Sequence, residues 1–177
     1  DTKTGDSNSW RTILIGGMRF GGACRTNSSS CTDCVKTPVS GNGYSSYFAL
    51  DVTNQDSPQL LWEFSDENLG FATTGPAVVR IGSDKNKNGK WFVVFGSGPT
   101  GPIDTTYNQF LGKSDQNLRF FVLDLKTGSL TRTIDTGITY AFAGSMFNVT
   151  SDPDLDYQDD VIYIGYTKRT GSSPNYT

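Results

Sequence analysis

The sequence predicts an all-β fold, and three observations carry that prediction. The apolar runs are short and rich in β-branched and aromatic residues. Turn signals separate them, as in Asp51 to Pro58, Asn88-Gly89 and Lys126-Thr127-Gly128. No segment of ten or more residues carries a helical period. Composition agrees: 20 glycines, 12% aromatic residues and only 19% charged residues in 177 suit many strands joined by tight turns.

The runs place strands near 10–15 (WRTILI), 46–52 (SYFALDV), 60–64 (LLWEF), 76–81 (PAVVRI) and 90–95 (KWFVVF). Further strands are expected near 119–125 (RFFVLDL), 130–134 (LTRTI), 144–149 (GSMFNV) and 160–166 (DVIYIGY). The strand aromatics, among them Trp62, Phe64, Trp91, Phe92, Phe95, Phe120 and Phe121, are read as core. Two stretches, 21–45 and 97–118, are rich in Gly, Ser, Asn and Thr and read as surface insertions. The order contains a repeat. YFALDVTNQDSPQLLWEF and FFVLDLKTGSLTRTI each run from an aromatic strand ending in Leu-Asp through a turn to a second strand, with Asp51 and Asp124 in register. Strands ending in glycine recur at ILIGG, VVFGSG and YIGY. A repeated strand–turn–strand unit points to blades of a β-propeller, each an antiparallel four-stranded sheet. Nine strands make little more than two blades, and closed propellers need at least about four. The expectation is one propeller-type region over 1–177, a part of a larger modified propeller, with a β-sandwich as the competing architecture.

Several chemistries are excluded. The chain has no histidine, which removes a Ser-His-Asp triad, His-ligated zinc and c-type haem attachment at Cys31-Thr32-Asp33-Cys34. Net charge is -3 with no long basic run, so nucleic acid is not an expected partner. No apolar run approaches the roughly 18 residues of a membrane span. Residues 1–10 lack the basic start and apolar middle of a signal peptide. The three cysteines, Cys24, Cys31 and Cys34, sit in a loop of secreted character, which favours a disulfide over a metal or redox centre. Cys31–Cys34 or Cys24 with either is the expected pair, leaving one thiol over.

The chemistry concentrates in SDPDLDYQDD, residues 151–160. Asp152, Asp154, Asp156 and Asp160 stand at relative positions 1, 3, 5 and 9, directly before the apolar run Val161–Ile164. Carboxylates this close raise the cost of ionising one another unless a cation neutralises them. Calcium, a hard cation taking six to eight oxygens, accepts side chains alternating along a loop. The four aspartates supply carboxylates and Gln158 a main-chain carbonyl. D-x-D-x-D-x-x-x-D followed by apolar residues and glycine resembles the calcium loops of integrin-like FG-GAP propeller repeats. Those carry glycine at position 6, where this chain has Tyr157. An EF-hand fits poorly, since strands flank the loop and position 12 is Tyr163. A second alternation, Asp84, Asn86 and Asn88 in DKNKNGKW, has one carboxylate between lysines and reads as a hairpin turn.

A wider likeness appears at YFALDVT, LLWEFSD, GPAVVRIGS, GKWFVVFGSG, FFVLDLKTG and DPDLDYQDDVIYIGY, in that order. Over roughly residues 10–166 the sequence resembles the PilC/PilY family of type IV pilus tip-associated adhesins, in its C-terminal β-propeller region. The resemblance implies one Ca2+ held by Asp152, Asp154, Asp156, Asp160 and the carbonyl of Gln158. It also implies a non-enzymatic role in pilus biogenesis and surface adhesion, outside the cell at the pilus tip. Tip subunits (minor pilins) and a host or other surface ligand are the implied partners. A quinoprotein dehydrogenase is the rival from another class, since its blades carry similar patterns, but its calcium draws ligands from scattered blades. A passive scaffold is the third reading.

Overall fold

The computed structural model describes residues 11–20, 45–82, 89–101, 103–104, 109–110 and 112–170. Every regular element among them is a β-strand, and every strand pairing is antiparallel. The first sheet has the order β1 (Ile13–Gly17), β2 (Tyr47–Asp51), β3 (Gln59–Phe64). The second starts with β4 (Ala77–Ile81) and β5 (Lys90–Gly96). A small hairpin, β6 (Ile103–Asp104) and β7 (Gln109–Phe110), then intervenes. The sheet is completed by β8 (Arg119–Asp124) and β9 (Leu130–Asp135), giving four strands in the order β4-β5-β8-β9. Two short pairs follow: β10 (Ala141–Ala143) with β13 (Tyr166–Lys168), and β11 (Thr150–Ser151) with β12 (Val161–Ile162).

The repeat read in the sequence is physical, and it is deeper than the sequence shows. β1-β2-β3 and β5-β8-β9 share one register. Gly17 faces Tyr47 as Gly96 faces Phe120. Both central hairpins carry an irregularity at the same step, between Ala49 and Leu50 in one and between Val122 and Leu123 in the other. Each is followed by an aspartate whose carboxylate accepts a main-chain N–H two residues on: Asp51 from Thr53 at 2.9 Å, Asp124 from Lys126 at 3.0 Å. Such a bond fixes the turn that returns the chain. Hydrogen bonds from Thr53, and behind them the Arg11 guanidinium at 2.7 Å, hold Asp51 below the usual carboxylate range. The two stretches expected as insertions occupy one place in this repeat. The first lies between β1 and β2, the second between β5 and β8. The cysteines fall outside the described residues. The second stretch is tied in at both ends. Ser97 and Leu118 are buried, and Gly98 donates to the Leu69 carbonyl at 2.8 Å.

The core lies between the two sheets. β2 alternates, pointing Tyr47 and Ala49 inward, and β5 and β8 answer with Val93, Phe95, Phe121 and Leu123. Tyr47 stacks on Phe95 at 4.0 Å between ring centroids, and Phe64 leans on both Phe95 and Phe121 at 5.6 Å. Each fully buried ring of this kind contributes roughly 1.5–3 kcal/mol. The Tyr47 hydroxyl stays satisfied inside by donating to the Thr74 carbonyl at 2.7 Å. Burial pushes its pKa up to about 12.

One expected strand is not there. The sequence predicts a continuous strand over 144–149, but the chain is extended at 141–143 and again at 150–151. Between them two main-chain donors go to different partners, Gly144 to Gly165 and Met146 to Gly75, both at 2.8 Å. Asn148 then takes φ 53°, a left-handed conformation that ends any strand. The run 160–166 likewise splits at Tyr163–Gly165.

The first sheet also reaches the hairpin turn of the second. Trp62 donates its indole N–H to the Leu125 carbonyl at 2.8 Å, and its ring lies directly where a Cβ on Gly128 would stand. Gly128 has φ 69°. Gly137, at φ 71°, has nothing within 4 Å of its missing Cβ. Both Gly→Ala changes pay the left-handed penalty of about 1–2 kcal/mol, and only Gly128→Ala adds an overpacking term of about 1–3 kcal/mol. Urea unfolding should therefore place Gly128→Ala clearly below Gly137→Ala in stability. Equal losses would show that Trp62 does not press on this turn.

Candidate metal centre

The pairing of Ser151 with Val161 closes residues 152–160 into one hairpin loop, reinforced by Asp160 N–H donating to the Ser151 carbonyl at 2.9 Å. Inside the loop the aspartates organise the backbone. Asp152 accepts from the main-chain N–H of Asp156 at 3.2 Å and of Tyr157 at 2.9 Å. Asp154 accepts from Asp156 N–H at 3.2 Å, and Asp156 from Gln158 N–H at 2.8 Å. These bonds curl the chain so that alternate side chains converge. One carboxylate oxygen each from Asp152, Asp154 and Asp156 lies within 4.8 Å of the others.

Convergence of like charge has an electrostatic consequence. Desolvation, then the charges of Asp154, Asp156, Asp152 and Asp159, raise the Asp160 carboxyl above its usual range. The fourth sequence-predicted carboxylate thus stands in the field of the other three. Among the described residues, no Lys or Arg forms an ion pair with any of them. Gln158, expected to offer its carbonyl, uses its side chain elsewhere: the amide N–H donates to Asp156 at 2.5 Å and its oxygen accepts from Gly82 N–H at 2.5 Å.

The donor set fits calcium. All candidate ligands are hard oxygens, and ligands held at about 2.3–2.6 Å from one ion lie no more than about 5 Å apart. Asp152, Asp154 and Asp156 satisfy that limit, whereas Asp160 stands outside their group. Asp159 lies outside the alternation of candidate ligands and accepts from Arg80 N–H at 2.6 Å. Nothing local in the sequence marks Asp159 or Arg80, since the contact spans 79 residues. The second alternation, at residues 84–88, lies outside the described residues.

Comparison with known proteins follows the same chain of likeness. No family model matches. The type IV pilus biogenesis factor PilY1 of Pseudomonas aeruginosa strain PAO1 is 30% identical over 160 residues, 88% of this chain. A PilY1 homolog of Xylella fastidiosa strain Temecula1 is 29% identical over 133 residues, 72% of this chain. The chain spans only 10% and 6% of the lengths of these relatives. The crystal structure of the Pseudomonas aeruginosa PilY1 C-terminal domain matches with a TM-score of 0.56 and 26% identity, covering 89% of this chain and 25% of that one.

Position 6 of the loop, where glycine is usual, shows how tyrosine is accommodated. Tyr157 adopts φ 71°, and Leu155 φ 61°. The left-handed turn is therefore made without glycine, at about 1–2 kcal/mol per residue. The Tyr157 side chain is exposed, so replacing it by alanine or glycine removes the same ring. Tyr157→Gly should be about 1 kcal/mol more stable than Tyr157→Ala, because only glycine relieves the backbone. Coincident urea midpoints for the two variants would mean that no strain resides there.

Proposed function

The chain belongs to the PilC/PilY family, in its C-terminal β-propeller region, and from that premise we propose that it is a calcium-binding module of a type IV pilus biogenesis factor, acting in pilus assembly and surface attachment without catalysis. The observation that carries the calcium reading is the convergence of three carboxylates in a loop already curled by its own hydrogen bonds. Asp152, Asp154, Asp156 and Asp160 would hold the ion with their carboxylates and Gln158 with its main-chain carbonyl. Bound calcium would supply the countercharge that the cluster lacks and tie β11 to β12 through the loop.

The chain's own residues do the remaining work. Asp152 spans the loop, ordering positions 5 and 6 through their N–H groups. Asp154 and Asp156 hold the curl with one bond each to a following N–H. The ordering entropy of the loop is thus partly spent before an ion arrives, which favours affinity. All four carboxylates come from residues 152–160, which supports a self-contained ion site over one shared with an organic cofactor between blades. The relatives' role as type IV pilus biogenesis factors supports the assignment to the pilus. On this reading the module works outside the cell, at the pilus tip, against tip subunits (minor pilins) and surface ligands. A disulfide within 21–45 suits that oxidising setting.

Calcium that binds only the folded chain at about 100 times its dissociation constant adds roughly 2.7 kcal/mol of stability. Thermal unfolding with and without saturating calcium should show that shift, and Asp156→Ala should lose most of it, because the change removes a central ligand from an exposed loop. Magnesium should substitute poorly, since it demands octahedral geometry at shorter distances. Identical melting of the wild type with and without calcium would refute the assignment, as would an Asp156→Ala variant that keeps the full shift.

A further inference from the structure

The acidic loop is fastened to a distant strand. β4 is the edge strand of the four-stranded sheet, bonded on one side to β5. Its other side presents main-chain groups that an unpaired edge leaves open. Residues 157–159 close that side. Arg80 N–H donates to the Asp159 carboxylate at 2.6 Å, and Asp159 N–H returns to the Arg80 carbonyl at 2.9 Å. Gly82 N–H donates to the Gln158 side-chain oxygen at 2.5 Å. The Arg80 side chain completes the set, its Nε–H donating to the Tyr157 carbonyl at 3.0 Å. That side chain is itself positioned by the sheet: its guanidinium lies 5.6 Å from the ring centroid of Trp91, the residue opposite it on β5.

Residues 80 and 82 use the alternate main-chain groups that face away from β5, which is how an additional strand would bond. The loop is therefore a strap on the edge of β4. The residues that form the strap, 157–159, lie between the candidate ligands Asp156 and Asp160, and one of them, Gln158, is itself the candidate carbonyl ligand.

We propose that Arg80 is a positioning residue for the ion site, and that calcium binding and closure of the strap over the β4 edge are one coupled event. The proposal rests on the calcium reading given above. With the loop curled around an ion, Tyr157 carbonyl, Gln158 side chain and Asp159 are held where Arg80 and Gly82 meet them. With the loop loosened, the outward main-chain groups of Arg80 and Gly82 become free to pair elsewhere. By linkage, whatever stabilises the strap tightens the ion, and the ion protects the strap in equal measure.

Arg80 gives the test its sign. As a mere nearby cation it would repel calcium, so Arg80→Ala would tighten binding by Coulomb's law alone. As a positioning residue it should do the opposite: Arg80→Ala should weaken calcium binding by about tenfold, the order of one charge-assisted hydrogen bond. Gln158→Ala provides a second variant that keeps every carboxylate and the main-chain carbonyl while removing the side-chain bonds to Gly82 and to Asp156, and it should weaken binding by several-fold. Calcium titration calorimetry on wild type and both variants reads these constants. Hydrogen exchange on the wild type should show the Arg80 and Gly82 amides slowed at least tenfold by calcium. Variants that bind as tightly as wild type, or tighter, overturn the coupling, as do amides that exchange equally in both states of a wild type that binds calcium. A wild type that takes up no calcium overturns the calcium reading and the coupling together, and is recognised before any variant is compared.

Discussion

The face-to-face packing of two register-matched sheets through the Tyr47, Phe64, Phe95 and Phe121 rings is the constraint on which the other features depend. Those rings contact one another directly, and Tyr47, Phe95 and Phe121 are fully buried. Their alternation along β2, β5 and β8 fixes which face of each strand turns inward, because a slip by one residue would expose every ring. Once β5 is fixed, β4 is fixed beside it, and its outer edge becomes a defined row of donors and acceptors. The acidic loop meets that row. The geometry of an exposed loop is thus inherited from a core with which it shares no side chain.

Repetition explains where irregularity is tolerated. Both central hairpins have the same irregular step and the same aspartate-capped turn. Long connections enter each unit at the same point, between the strands β1 and β2 in one case and β5 and β8 in the other. In the loop from β11 to β12, Tyr157 has φ 71°. In the acidic loop the carboxylate–backbone bonds around Tyr157 hold a conformation that a side chain resists.

Much of this was legible in the sequence, for identifiable reasons. The Asp51 and Asp124 register was visible because a strand ending in Leu-Asp and a turn leave the same local trace twice. The four aspartates were visible because a loop site is local, its ligands following one another at alternate positions. The break at 144–148 was not visible: Gly144 and Met146 bond to Gly165 and Gly75, and apolar composition does not report such partners. The strap was invisible for the same reason. Arg80 and Asp159 look like ordinary strand and loop residues until the sheet brings them together. What sequence reasoning missed is long-range main-chain bonding; what it caught is local pattern.

If residues 152–160 alone form one ion site, it is seated on the edge of β4. Diffraction from crystals grown with calcium, recorded at a wavelength where calcium scatters anomalously, tests it directly. A single anomalous peak is expected, enclosed by Asp152, Asp154, Asp156, Asp160 and the Gln158 carbonyl, with Asp159 still bonded to Arg80. A loop free of any peak in saturating calcium, or an ion held by ligands from other strands, would contradict it.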